Sequence, residues 1–193
     1  MIVTPPSIEA AEGHAAEMYR RDLDTDGFVF GYTQLMAINP EAHEAFEALV
    51  RAIVPSIGVR TYELATLAAA RGIGSPHCLL AHGRKTLRAQ AMDEEQLTRV
   101  ARDYSDAGLS DADVAVMRFA ERLSTDPGSM TDADSRELRE SGFTDRQILD
   151  ITLAASVRNY FSRALLALAV PVEDVPGITP NLAEALLSPL TRD

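Results

Sequence analysis

The chain has 193 residues, 46% of them apolar, 24% charged and only 6% aromatic, with no tryptophan and a formal net charge of −11. That length fits one large domain or two small ones, and the apolar content suffices for a sizeable core built mostly from Ala, Leu, Ile and Val, a mix that favours closely packed helices. The acidic balance argues against nucleic acid and anionic membrane surfaces as partners, and the single cysteine, Cys78, excludes an intramolecular disulfide.

The first residues, MIVTPPSIEAAEGHAAEM, have neither the basic n-region nor the apolar h-region of a secretory signal. The nearest approach to a membrane span, residues 148–170, contains Asp150, Arg158, Asn159 and Arg163. The expectation is a soluble cytoplasmic protein. In chain order, Pro5-Pro6 predicts an extended arm as far as Ser7, followed by a helix over 7–21 and a loop over 22–31. The loop holds Asp24-Thr25-Asp26-Gly27, which lacks the downstream acidic ligands of a calcium loop. Phe28, Phe30 and Tyr32 are expected to pack on the body. Asn39-Pro40 is a helix start, an Asn cap with Pro in the first turn. That helix runs to about Val54, Pro55 and Gly58 punctuate it, and a further helix carrying Glu63 ends near Gly72 or Gly74.

Ser75-Pro76 opens the next helix, to about Gln90. Asp93 with Gln96 and Thr144 with Gln147 read as capping boxes, with Met92/Leu97 and Phe143/Ile148 as their hydrophobic staples, and Ser110 starts a helix to about Leu123 with Leu109 and Val114 as staple. A short polar helix spans 131–141. The last long helix, 144–169, is apolar nearly all round and is expected inside a bundle. No strand pattern is present. Beyond Pro171 the chain reads as a Pro-rich tail, 171–193, with a short helix over 181–187 whose Leu182, Leu186, Leu187 and Leu190, placed outside the core, would suit a subunit contact. Residues 1–170 form the single helical domain. The segments beginning at Glu63 and Ile148 share an Ala-rich texture, as a duplicated helical unit or simple helix composition would give.

The chemistry concentrates between Glu63 and Lys85. With Ser75 as N-cap and Pro76 at N1, Cys78 falls in the first turn, where unpaired N–H groups and the helix dipole favour a thiolate. His82 lies four residues on, on the same face, positioned to take the thiol proton directly or through a water. Glu63, from the preceding helix, is expected to orient His82. The alternative is a small buried cysteine, a plain cap at Ser75 and a hydrogen-bonded core histidine. Zinc is disfavoured: Cys78, His77 and His82 lack a standard ligand spacing and no second cysteine exists. No cofactor is expected. His14 and His43 read as surface residues without a partner, and Tyr160 and Phe161 as core packing, with the lining of a pocket as the alternative.

Glu63, Ser75-Pro76-His77-Cys78 and His82 resemble the signature of the AhpD-like alkylhydroperoxidase and carboxymuconolactone decarboxylase superfamily, a Glu, about a dozen residues, then Cys-x-x-Cys-x-x-x-His. The segments from Gly108 through Met117-Arg118-Phe119-Ala120 and Leu138 to Asp150, and Asn159 with Arg163, also resemble it, so the similarity covers roughly residues 39–170. The resemblance implies an all-α bundle with an internal helical repeat, and homo-oligomers (dimers, trimers or hexamers). In redox-active members the position matching Cys78 attacks a peroxide, activated through the His and Glu, and the first cysteine resolves it. Here that first cysteine is Ser75, so a dithiol relay within this chain is excluded and an oxidised Cys78 must be rescued by an external thiol or a neighbouring chain. Ser75 is left to cap the helix or to donate a hydrogen bond to Cys78.

Three functions follow. The first is an antioxidant hydroperoxide reductase, a one-cysteine peroxidase with peroxiredoxin activity, using Cys78, His82, Glu63 and Ser75 with an external thiol reductant. The second is a cofactor-free lyase or isomerase acting on a carboxylated lactone, with Arg60, Arg84 or Arg163 holding the carboxylate. The third is a non-catalytic oligomer that has lost the redox cycle.

Overall fold

In the computed structural model, which describes residues 1–191, the apolar periodicity is realised as nine α-helices, with no strand among the described residues: α1 (Gly13–Asp26), α2 (Gly31–Met36), α3 (Pro40–Ile73), α4 (Pro76–Arg88), α5 (Glu94–Asp103), α6 (Asp111–Thr125), α7 (Asp132–Glu140), α8 (Asp145–Ala167) and α9 (Pro180–Leu187). None is long and apolar enough to cross a membrane. The all-α expectation is met, and most start signals act through the capping bonds that favour them. Asn39 accepts the Ala42 N–H at 2.9 Å, Asp93 the Gln96 N–H at 2.7 Å and Ser110 the Asp113 N–H at 3.2 Å, while Thr144 and Gln147 form a reciprocal box.

The N-terminal region departs from the expectation. Residues 7–10 form a turn, α1 starts only at Gly13, and Asp22–Asp26, expected in a loop, complete the helix. The stop is Gly27, left-handed at φ 80, whose N–H bonds the Leu23 carbonyl. Asp22 looks like a loop residue in sequence, but it is held by the Phe30 N–H at 3.1 Å. The short α2 that follows was not predicted; its first N–H, from Gly31, donates to the distant Glu173 carboxylate at 2.9 Å.

Pro55 and Gly58 produce a kink rather than a loop. Helix α3 continues through Pro55 and is broken only at Gly58 (φ 77, ψ 160), a conformation open in practice to glycine alone. It ends at Gly74 (φ 76), and the Ser75 N–H turns back to the Ala70 carbonyl. Pro76 then begins α4 directly, so a minimal connection sets α4 against α3. Beyond the kink, Leu64, Ala65, Ala68, Ala69 and Ala70 are buried; their small side chains let α6 and α8 approach α3 closely, and these three helices form the centre of the bundle. The two Ala-rich segments noted in the sequence lie on α3 and α8, which pack on each other. Helix α8 is not sheathed all round: Leu149, Tyr160 and Leu166 are exposed, whereas Ile151, Ala154, Ala155 and Leu165 are fully buried.

The Leu-rich tail does not stand outside the core. Leu182 and Leu186 on α9 are 0% and 1% exposed, with α9 laid across α4 and α5. Gly83 makes room for this contact, since a Cβ there would stand 2.6 Å from Leu186 Cδ1. Leu182 and Leu186 therefore bury within their own chain, while Leu187 and Leu190 stay partly exposed; the last two residues of the expected tail, 192–193, lie outside the described residues. Replacing Leu186 by Ala is expected to lower the unfolding free energy by about 2–5 kcal/mol in urea titrations. A loss well under 1 kcal/mol would mean that α9 is not part of the cooperative core.

Candidate active site

Cys78 sits in the first turn of α4, two residues after Pro76, as the sequence predicts, and is 2% exposed. His82 follows one turn later, also buried, and its Nδ1 lies 2.7 Å from Glu63 Oε2 across the α3–α4 contact. Cys78, His82 and Glu63 all line one cavity of about 530 Å³. Cys78 is thus almost fully buried, yet it belongs to the wall of a chamber large enough for a small organic molecule. No hydrogen bond joins Cys78 to His82 among the described residues, so the direct thiol–imidazole bond is not part of this arrangement; the two residues share a cavity wall.

Burial dominates the electrostatics of the pair. It pushes the Glu63 carboxyl up to about 7, against the opposing pull of Lys85 and Arg158. Burial, helped by the charges of Arg158 and Lys85, holds the His82 imidazole well below its usual value. A neutral His82 facing an ionised Glu63 donates through Nδ1–H and keeps Nε2 as a proton acceptor. One further proton on the pair removes that capacity, whichever residue carries it.

The sulfur has two donors that sequence reasoning did not assign. The Ser162 hydroxyl donates to Sγ at 3.1 Å and the Arg158 guanidinium at 3.5 Å. Arg158 is buried in α8, with its guanidinium 5.3 Å from the Phe161 ring centroid and 6.0 Å from that of Phe46. Desolvation opposes its charge, but Cys78 and Tyr62 favour it, and the balance raises its pKa. Both donors stabilise negative charge on sulfur. A signal for Arg158 existed: an arginine in the middle of the largely apolar 148–170 run, if buried, needs a partner. Phe161 lines the cavity as well as the core, while Tyr160 is half-exposed against Phe46.

Ser75 fills neither expected role. Its backbone occupies the N-cap position, but its hydroxyl makes no capping bond, does not reach Cys78, and is buried without a partner. The proposed carboxylate holders are engaged as well. Arg60 donates to Asp113 and to the Ala91 carbonyl, Arg163 to the Ser124 carbonyl, and Arg84, although in the cavity wall, forms a bidentate pair with Asp26. His77 bonds through Nε2 to the carbonyls of Val170 and Pro171, each at 3.0 Å, and so ties α4 to the segment after α8. His14 and His43 are not isolated: their rings approach to 3.2 Å between Nε2 and Nδ1, and with Glu47 they place ligand atoms within 4.8 Å of one another, the one such metal-type grouping among the described residues. Arg21 and Arg51 already neutralise Glu47, which works against a dication there.

Residues 40–122, which include Glu63, Cys78 and His82, match the carboxymuconolactone decarboxylase family. The fold is similar to that of the alkylhydroperoxidase AhpD core of an uncharacterized peroxidase-related protein from Ralstonia eutropha JMP134 (TM-score 0.77, 22% identity, covering 100% of this chain and 97% of that one). It is similar too to an uncharacterized peroxidase-related protein from Silicibacter sp. TM1040 (TM-score 0.71, 22% identity, 89% and 88% covered). A third similar structure is the debrominase Bmp8, solved as a cysteine-to-alanine variant with 2,3,4-tribromopyrrole (TM-score 0.74, 18% identity, 98% and 97% covered). No curated protein matches the chain.

Replacing Arg158 by Met removes a charged donor from the sulfur, and alkylation of Cys78 by iodoacetamide at neutral pH is expected to slow by about tenfold, as loss of a charge-assisted hydrogen bond implies. An unchanged rate in a variant that unfolds at the wild-type denaturant concentration would remove Arg158 from the account of the thiol.

Proposed function

Starting from a carboxymuconolactone decarboxylase family segment set in an AhpD-like all-α fold, we propose that this protein is a one-cysteine organic hydroperoxide reductase with Cys78 as the attacking group. The observation that carries this reading is the convergence of the only thiol, an imidazole held by a buried carboxylate and a guanidinium donor in the wall of one chamber.

The Cys78 proton passes into the cavity and is accepted at His82 Nε2, with Glu63 holding Nδ1–H and stabilising the imidazolium. The thiolate attacks the terminal peroxide oxygen, the O–O bond breaks, and an S–O bond forms. The leaving alkoxide takes the proton from His82 and departs as an alcohol, leaving a sulfenic acid. An external thiol then condenses with the sulfenic acid, releasing water and forming a mixed disulfide, and a second thiol restores Cys78 and leaves as the external disulfide. Arg158 and Ser162 steady the charge on sulfur before attack. Ser75 contributes no group to these steps.

The family match favours one second reading, a cofactor-free lyase or isomerase acting on a carboxylated lactone. There His82 alone would transfer protons, and Cys78→Ala would leave turnover intact.

With an organic hydroperoxide and excess monothiol, the protein is expected to convert peroxide to alcohol. Cys78→Ser should abolish this, and His82→Ala should reduce it by about a hundredfold or more, the usual scale for a lost general base. The rate of Cys78 oxidation should rise with pH through about 7 as the buried Glu63 ionises and frees Nε2 to accept a proton. A pH profile flat over about one unit either side of that titration, or turnover that survives Cys78→Ser, would contradict the assignment.

A further inference from the structure

Lys85 is the only lysine in the chain, every other cationic side chain of its basic complement being arginine. It lies on α4 at i+7 from Cys78 and i+3 from His82, so the three share one helical face, and its Cα stands about 10 Å along the axis from that of Cys78 at 1.5 Å per residue. It lines the same cavity. Its side chain is accessible to solvent within that chamber although protein surrounds it.

Four arginines of the wall share two carboxylates. Arg21 and Arg51 pair with Glu47, and Arg84 and Arg88 pair with Asp26. Arg158 is committed to the sulfur. Lys85 forms neither an ion pair nor a hydrogen bond among the described residues. Desolvation and the neighbouring Arg158 work against its charge, whereas Glu63 and Cys78 favour it. A bound anion would stabilise that charge. The remainder of the chamber offers apolar contact from Phe46, Val50, Val54, Phe161 and Leu165.

We propose that Lys85 is the anion anchor of this chamber, so that the molecule acted on at Cys78 is amphipathic: a reactive group at the sulfur, an apolar body, and a carboxylate about two helical turns away at the ammonium. A single negative charge matches the one ammonium, whereas a phosphate dianion would bring a second charge with no further free cation beside it among the described residues. With the reading of Cys78 as the attacking group, on which this inference rests, the substrate class becomes carboxylate-bearing organic hydroperoxides. Lys85 acts as a specificity determinant and takes no part in proton transfer.

The test compares cumene hydroperoxide with its 4-carboxy analogue in the wild type, Lys85→Met and Lys85→Arg. The wild type should prefer the carboxylated substrate by about tenfold or more in kcat/KM, the scale of one charge-assisted hydrogen bond, mainly through KM. The preference should vanish in Lys85→Met and largely return in Lys85→Arg. Independently of turnover, calorimetry should show 4-isopropylbenzoate binding to the wild type and about tenfold more weakly to Lys85→Met. On the wild type alone, the same acid should protect Lys85 from trinitrobenzenesulfonate, read by mass spectrometry at the sole lysine. Binding and protection without any peroxide turnover would uphold the anchor and remove the redox reading. Equal kcat/KM for the two hydroperoxides in the wild type, or labelling of Lys85 indifferent to saturating 4-isopropylbenzoate, would overturn the anchor even if cumene hydroperoxide is consumed.

Discussion

The hydrogen bond between His82 and Glu63 is the contact on which the organisation of the cavity depends. Burying an imidazole and a carboxyl group is unfavourable unless each satisfies the other, and at 2.7 Å across two helices they do. The contact exists because the backbone brings α3 and α4 together through almost no connecting chain. Gly74 ends α3 in a left-handed conformation, Ser75 turns, and Pro76 starts α4. Gly58 bends α3 five residues before Glu63, and the alanines beyond it let α6 and α8 close around the helix. The same closure carries Arg158 and Ser162 on α8 to the sulfur. Loss of the pair would leave two buried polar groups unsatisfied at the point where three helices meet.

Charge is distributed against the average. A chain at −11 collects arginines and its one lysine around a single chamber. Asp26 and Glu47 are each shared by two of the outer arginines, whereas the guanidinium at the sulfur and the ammonium two turns along α4 have no carboxylate partner among the described residues. The acidic exterior disfavours polyanions as partners, while the local field inside suits a small monoanion. These two statements concern different surfaces and are compatible.

Much of this was legible in the sequence, and the exceptions have physical causes. The caps at Asn39, Asp93, Ser110 and Thr144 are local interactions, readable because donor and acceptor lie within three residues. The Cys78–His82 spacing is likewise local, and the Glu63–His82 pair follows once two consecutive helices are taken as neighbours. Asp22–Asp26 read as loop because their helix is held by groups distant in sequence, through Arg84 and Phe30. Leu186 looked unattached because it packs where Gly83, about a hundred residues earlier, lacks a side chain. Arg158 and Ser162 reach Cys78 from 80 and 84 residues away, a pairing no short-range pattern encodes. Lys85 is different. Its uniqueness and its place on the Cys78–His82 face were visible in the sequence, but a charged residue on an amphipathic helix ordinarily faces solvent.

The central claim is that the sulfur of Cys78 reacts with a peroxide oxygen. The most direct measurement is a single-turnover pulse of cumene hydroperoxide in the presence of dimedone, with mass spectrometry of the Cys78 peptide and quantitation of the alcohol released. The account predicts a dimedone adduct on Cys78 in step with alcohol formation, and none when Cys78 is replaced by Ser. An unmodified Cys78 thiol with the hydroperoxide intact would contradict it.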